Sequence, residues 1–122
     1  MLVDWRILIS TAHLLIDGDK VRVELGRGRR HEVHVEEHDD AWRIWAKTER
    51  VAGAENALRL LLWTRNRSAS LVSMRIDERS RLIGEAWVPA AGATAEELSA
   101  AIHAVAIECD RVEFVRTGRD TH

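Results

Sequence analysis

The chain reads as an α+β two-layer domain: an antiparallel sheet of about five strands with helices on one face. Three observations carry this. Residues 21–25, 33–35 and 42–46 alternate apolar and polar side chains with the period of half-buried strands. A second alternating pair spans 72–76 and 82–88 and closes at the lone proline, Pro89. Two segments, 54–65 and the stretch from Thr94 onward, instead space their apolar residues by three and four, the period of helices. The order is β-β-β-α-β-β-α, with room in front for a short N-terminal helix or one more strand.

Size and charge bound the rest. The 122 residues make one domain, 1–122, with a core over about 20–113. Hydrophobic residues are 46% and charged residues 31%, an ordinary globular balance. The net charge of −2 lacks the basic stripe of a nucleic-acid binder. The single Cys109 excludes an internal disulfide and fits a reducing compartment. The apolar run near 7–16 is broken by Ser10, Thr11 and His13, so it is neither a signal peptide nor a membrane span. A cytoplasmic protein without membrane attachment is expected.

Taken in order, residues 4–17 fit two patterns. Trp5, Leu8, Ile9, Ala12, Leu15 and Ile16 fall at helical spacing, while Ile7, Ile9, Ser10 and Thr11 suit a strand. Asp17-Gly18 is a strong hairpin signal. Val21, Val23 and Leu25 alternate with Arg22 and Glu24; the Gly-rich stretch 26–30 makes a turn; Val33 and Val35 alternate with Glu32, His34 and Glu36. Asp39-Asp40 interrupts, and Trp42, Ile44 and Ala46 resume with Arg43, Trp45 and Lys47 on the other side. This is a meander with one buried and one wet face.

In 54–65, Ala54, Ala57, Leu58, Leu61 and Leu62 form one stripe, and Leu60 and Trp63 fall off it. The apolar surface is wider than one sheet contact requires. The helix ends near Asn66, a residue that tolerates left-handed angles. In the next hairpin Leu82, Ala86 and Val88 form one side of the return strand and Ile83, Glu85 and Trp87 the other; Pro89 has no N–H for the ladder and stops it. Thr94-Ala95-Glu96-Glu97 is a capping box. The helix behind it buries Leu98, Ala101, Ile102, Val105, Cys109 and Val112.

No catalytic constellation stands out. Cys109 is on the apolar stripe near a helix C-terminus, where a thiol is a small hydrophobe. His34, Glu36 and His38 share strand parity and are the best metal-ligand candidates, weighed against a solvated strand face. Arg27, Arg29 and Arg30 read as a solvated hairpin loop, weighed against a phosphate-contacting loop with only three charges behind it. Trp45, Trp63 and Trp87 lie off the main stripes. Tryptophan is costly to leave in water and enriched at binding hot spots.

The run Leu60-Leu61-Leu62-Trp63-Thr64-Arg65-Asn66, the hairpin at Met74-Arg75-Ile76-Asp77, the close Trp87-Val88-Pro89 and the capped Thr94-Ala95-Glu96-Glu97-Leu98 resemble the YbjN-like and type III secretion chaperone-like domains over residues 21–112. The resemblance implies an α-β-β-β-α-β-β-α domain, commonly a homodimer, that holds a partner polypeptide on hydrophobic grooves and sheet faces or acts as a regulator. Those families begin with a clear amphipathic helix; here it is short or absent.

The sequence therefore points to a non-enzymatic, chaperone-like or regulatory protein-binding module without a cofactor. A protein partner is expected, with homodimerisation as the resemblance implies and no binding of nucleic acid. Leu60, Trp63, Trp87 and Trp45 are the expected contact residues. The alternative is a metal-binding regulator or metal-dependent enzyme using His34, Glu36 and His38.

Overall fold

The computed structural model describes residues 4–9, 14–26, 28–50, 71–79 and 81–117. They form α1 (Trp5–Leu8), β1 (Leu15–Asp17), β2 (Lys20–Gly26), β3 (Arg29–His38), β4 (Ala41–Arg50), β5 (Ser73–Ile76), β6 (Arg81–Pro89) and α2 (Ala95–Thr117). The six strands form one antiparallel sheet in the order β1-β2-β3-β4-β6-β5. The α+β class is as expected, with six strands where the sequence indicated about five.

The additional strand is β1, and residues 4–17 turn out to hold both of the patterns seen there. The Asp4 side chain accepts from the Arg6 N–H at 3.0 Å and starts a single helical turn. That turn buries Trp5 and Ile9. Leu15–Asp17 forms β1, which pairs Asp17 with Lys20. Gly18 takes φ 64, a left-handed angle that glycine adopts without a Cβ clash.

Register fixes which side chains share a face. Val21 is opposite Val33, Val35 opposite Ile44, Ile44 opposite Ala86 and Trp42 opposite Val88. All seven of these side chains are buried on the α2 side. At the β3–β4 turn Asp39 adopts φ 51, which aspartate tolerates better than most non-glycine residues. The Asp77 carboxylate organises the β5–β6 turn by accepting from the backbone N–H groups of Arg79 and Arg81 at 2.9 and 2.8 Å. These bonds, with the Arg81 guanidinium, hold the Asp77 carboxyl below the usual carboxylate range.

The cap on α2 forms as its sequence predicts. The Glu97 N–H donates to Thr94 Oγ1 at 3.1 Å, and the Thr94 N–H donates to Glu97 Oε1 at 3.3 Å. Leu98, Ala101, Ile102, Val105, Cys109 and Val112 are buried, and α2 packs against β4, β6, β3 and β2. Together with the inner strand residues they form one apolar cluster that also takes in Trp5 and Ile9. The predicted helix over 54–65 lies outside the described residues.

Candidate protein-binding face

The alternate residues of the same strands build the second face of the sheet. His34 pairs with Trp45, and Trp45 with Glu85, across three strands. One row further, Glu36 pairs with Arg43, and Arg43 with Trp87. Aromatic, acidic and basic side chains thus meet here because strand parity and register bring them together.

Glu36 is the hub. Its Oε1 accepts from the Trp45 indole N–H at 2.5 Å and from Arg43 Nη1 at 3.3 Å, and its Oε2 lies 3.1 Å from His38 Nε2. Arg43 turns its Nε to Glu85 Oε2 at 2.6 Å, and Arg75 reaches the other oxygen of Glu85 at 3.9 Å. Burial pushes the Glu36 carboxyl up, but the hydrogen bonds from His38 and Trp45 and the charge of Arg43 outweigh it and leave the group below its ordinary range. Exposed ion pairs contribute little singly, and several charges joined in one network, as here, contribute more.

Each tryptophan on this face has a histidine against it. The His34 ring stacks on Trp45 with centroids 4.2 Å apart and planes 14° from parallel. His38 lies tilted against Trp87, with centroids 5.2 Å apart. Burial lowers the His34 imidazole below its ordinary value, and Lys20 and Lys47 act in the same direction.

The expected contact residues therefore divide. Trp45 and Trp87 share one face. Trp45 is half-buried and tied to Glu36, whereas Trp87 is 49% exposed. Leu60 and Trp63 lie outside the described residues. Ile83, of the same parity as Trp87, is only 4% exposed, so the accessible apolar surface on β6 is at its Trp87 end.

The metal alternative gains no support from the geometry. The His34 ring is occupied in stacking on Trp45 and the Glu36 carboxylate in three hydrogen bonds. Among the described residues no group of three His, Cys, Asp or Glu side chains is placed to hold a metal ion. Among them, also, no helix is long and apolar enough to cross a membrane. Cys109 is buried on the α2 stripe, as expected.

Sequence reasoning missed two features. His31 is buried on the α2 side, with Nε2 3.7 Å from Asp110 Oδ1, and Arg29 Nη2 lies 3.7 Å from the other Asp110 oxygen. The signal was present: His31 has the parity of Val33 and Val35. The second is the Glu36–Arg43–Glu85 network, which becomes legible only when strand register is known.

No protein-family model and no curated protein sequence matches the chain. Two solved complexes contain a chain of similar fold. One is the heterodimeric ExoU–SpcU complex from the type III secretion system of Pseudomonas aeruginosa, with a TM-score of 0.56 and 20% identity over 76% of this chain and 78% of that one. The other is the HopA1–SchA chaperone–effector complex, with a TM-score of 0.55 and 12% identity over 90% of this chain and 87% of that one. The chain shares its fold with a chain from each of these two complexes.

Proposed function

We propose that this chain is a non-enzymatic, chaperone-like module that holds a partner polypeptide on the Trp87 end of the second sheet face. One observation carries the reading: Trp87 keeps about half of its surface in water, against His38 and on the same face as the stacked Trp45 and His34. Covering such a ring is favourable by about 25 cal/mol per Å² of apolar area. Its neighbours are already ordered by the Glu36 network, so little side-chain entropy is lost on binding.

The similarity to chains from the ExoU–SpcU and HopA1–SchA complexes supports a protein partner. The resemblance to YbjN-like and secretion chaperone-like domains supports the same role in a cytoplasmic homodimer, with Leu60 and Trp63 contributing to the dimer or the partner contact. The four-residue β5 is an edge of the described sheet, where an extended partner segment can add a strand.

The test is recovery of the bound partner from the native host with the wild-type chain and with Trp87→Ala, alongside light scattering for the dimer. Retention by wild type and loss by the variant, with the fold intact by circular dichroism, support the reading. Equal retention by both overturns the role of Trp87.

A further inference from the structure

The register of β5 against β6 brings a second open apolar side chain towards Trp87 and a loosely held cation further along the same edge. Ser73 pairs with Glu85, and Arg75 reaches the Glu85 carboxylate, so both face the side that carries Trp87. Carried two residues past the start of β5, the same register sets Leu71 opposite Trp87. Leu71 is 48% exposed, as open as Trp87, whereas Val72 and Met74 of the other parity are buried. We propose that this edge selects the sequence of its partner. Leu71 and Trp87 take an apolar side chain, and Arg75 takes a carboxylate four residues away in an extended segment lying along β5. The proposal rests on the binding role assigned to Trp87 above and adds the chemistry of the bound segment.

Spacing and charge decide the occupant. A strand advances about 3.3 Å per residue, so positions 71 and 75 are about 13 Å apart and match side chains four residues apart in a second extended segment. Glu85 is engaged by the Arg43 guanidinium at 2.6 Å, while Arg75 reaches its other oxygen only at 3.9 Å and keeps 51% of its side chain exposed. In the β5–β6 turn the Asp77 carboxylate is held by the backbone N–H groups of Arg79 and Arg81 and by the Arg81 side chain. The exposed charges on the described residues of this hairpin are Arg75, Glu78 and Arg79, a positive balance, with Glu78 in the turn and away from Leu71. A partner carboxylate offers Arg75 the paired hydrogen bonds that suit a guanidinium, which Glu85, shared with Arg43, does not. A basic segment would instead meet like charge, the arrangement by which interfaces reject wrong partners.

The two parts of the edge act differently. Covering Leu71 and Trp87 removes apolar surface from water and supplies most of the affinity. An ion pair at a half-exposed rim changes affinity by no more than about fivefold. That is enough to choose between segments and too little to hold one.

The probe is a phage-displayed library of random peptides, selected on the full wild-type chain, Arg75→Gln, Arg75→Glu and Trp87→Ala, each with its fold checked by circular dichroism. The wild-type chain is expected to enrich peptides with an aromatic or large aliphatic residue and, four positions away, Asp or Glu. Arg75→Gln should keep the apolar residue and lose the acid, and Arg75→Glu should exchange the acid for Lys or Arg. A synthetic copy of the enriched peptide should bind Arg75→Gln up to about fivefold more weakly than wild type, with the gap narrowing as salt is raised. Peptides without an acid at that spacing, or an acid still selected by Arg75→Gln, overturn the inference. So does a library that yields no common sequence on the wild-type chain, and partner recovery with Trp87→Ala then decides the binding role by itself. The two readings fail separately. An apolar preference that vanishes in Trp87→Ala, with no acid selected, keeps the role of Trp87 and removes that of Arg75. A preference unchanged in Trp87→Ala removes both.

Discussion

Gly84 on β6 lies so close beneath Cys109 of α2 that a Cβ added to it would sit 2.6 Å from the Cys109 sulfur and 2.9 Å from that of Met74. Methionine can swing its thioether aside, but Cys109 sits on a short side chain fixed to a helix. Gly84→Ala must therefore lift α2 from the sheet. Overpacking of this kind destabilises by about 1–3 kcal/mol, measurable as a lower urea midpoint. Cys109→Ala in the same background should restore part of the loss, since residues in contact are energetically coupled.

The start of α2 gives a second test. Thr94 and Glu97 satisfy each other's backbone N–H groups, and Glu96 and Glu97 place acidic groups in the first turn, where the helix dipole favours them. Thr94→Ala should lower stability by about 1 kcal/mol, and Thr94→Ser should recover most of it. Both are checked by chemical denaturation.

Trp42 and Trp87 sit on opposite faces of adjacent strands, and their truncation should separate packing from binding. Trp42 is 1% exposed within the apolar cluster. Trp42→Ala should cost about 3–5 kcal/mol and leave little folded protein. Trp87→Ala removes a ring already half in water and should shift stability by less than about 1 kcal/mol. Circular dichroism melts of the two variants make the comparison.

The Glu36 carboxyl is held below its unfolded value of 4.5. Its contribution to stability is thus present above that pH and disappears as the pH falls through the folded value, because the unfolded chain binds the proton more readily. The melting temperature should drop on acidification below pH 4.5. In Glu36→Gln that part of the drop should be missing, and the stability at neutral pH should be lower.

Where local pattern and tertiary packing agree, the fold was legible from residues alone. The alternation through Val21, Val23, Val33, Trp42 and Ile44 matches the buried face of β2, β3 and β4. The capping box at Thr94 and the end of β6 at Pro89 also stand where expected. Residues 4–17 resisted because one short helical turn and one three-residue strand follow each other there. A window long enough to detect either period averages over both. For the site, parity correctly placed Trp87, Glu85 and Ile83 together. It could not show that Ile83 is buried while Trp87 is open, or that Glu36 is saturated by Arg43, Trp45 and His38. Those facts depend on cross-strand register and on what packs above each strand, and neither is a local property.

The central claim is that the open ring of Trp87 is where a partner polypeptide docks. Its most direct test is a titration of the partner recovered from the native host against wild-type and Trp87→Ala protein, with matched folded fractions. The account predicts a loss of affinity of at least about tenfold in the variant, as for an aromatic hot spot. Equal affinity for the two proteins would contradict it.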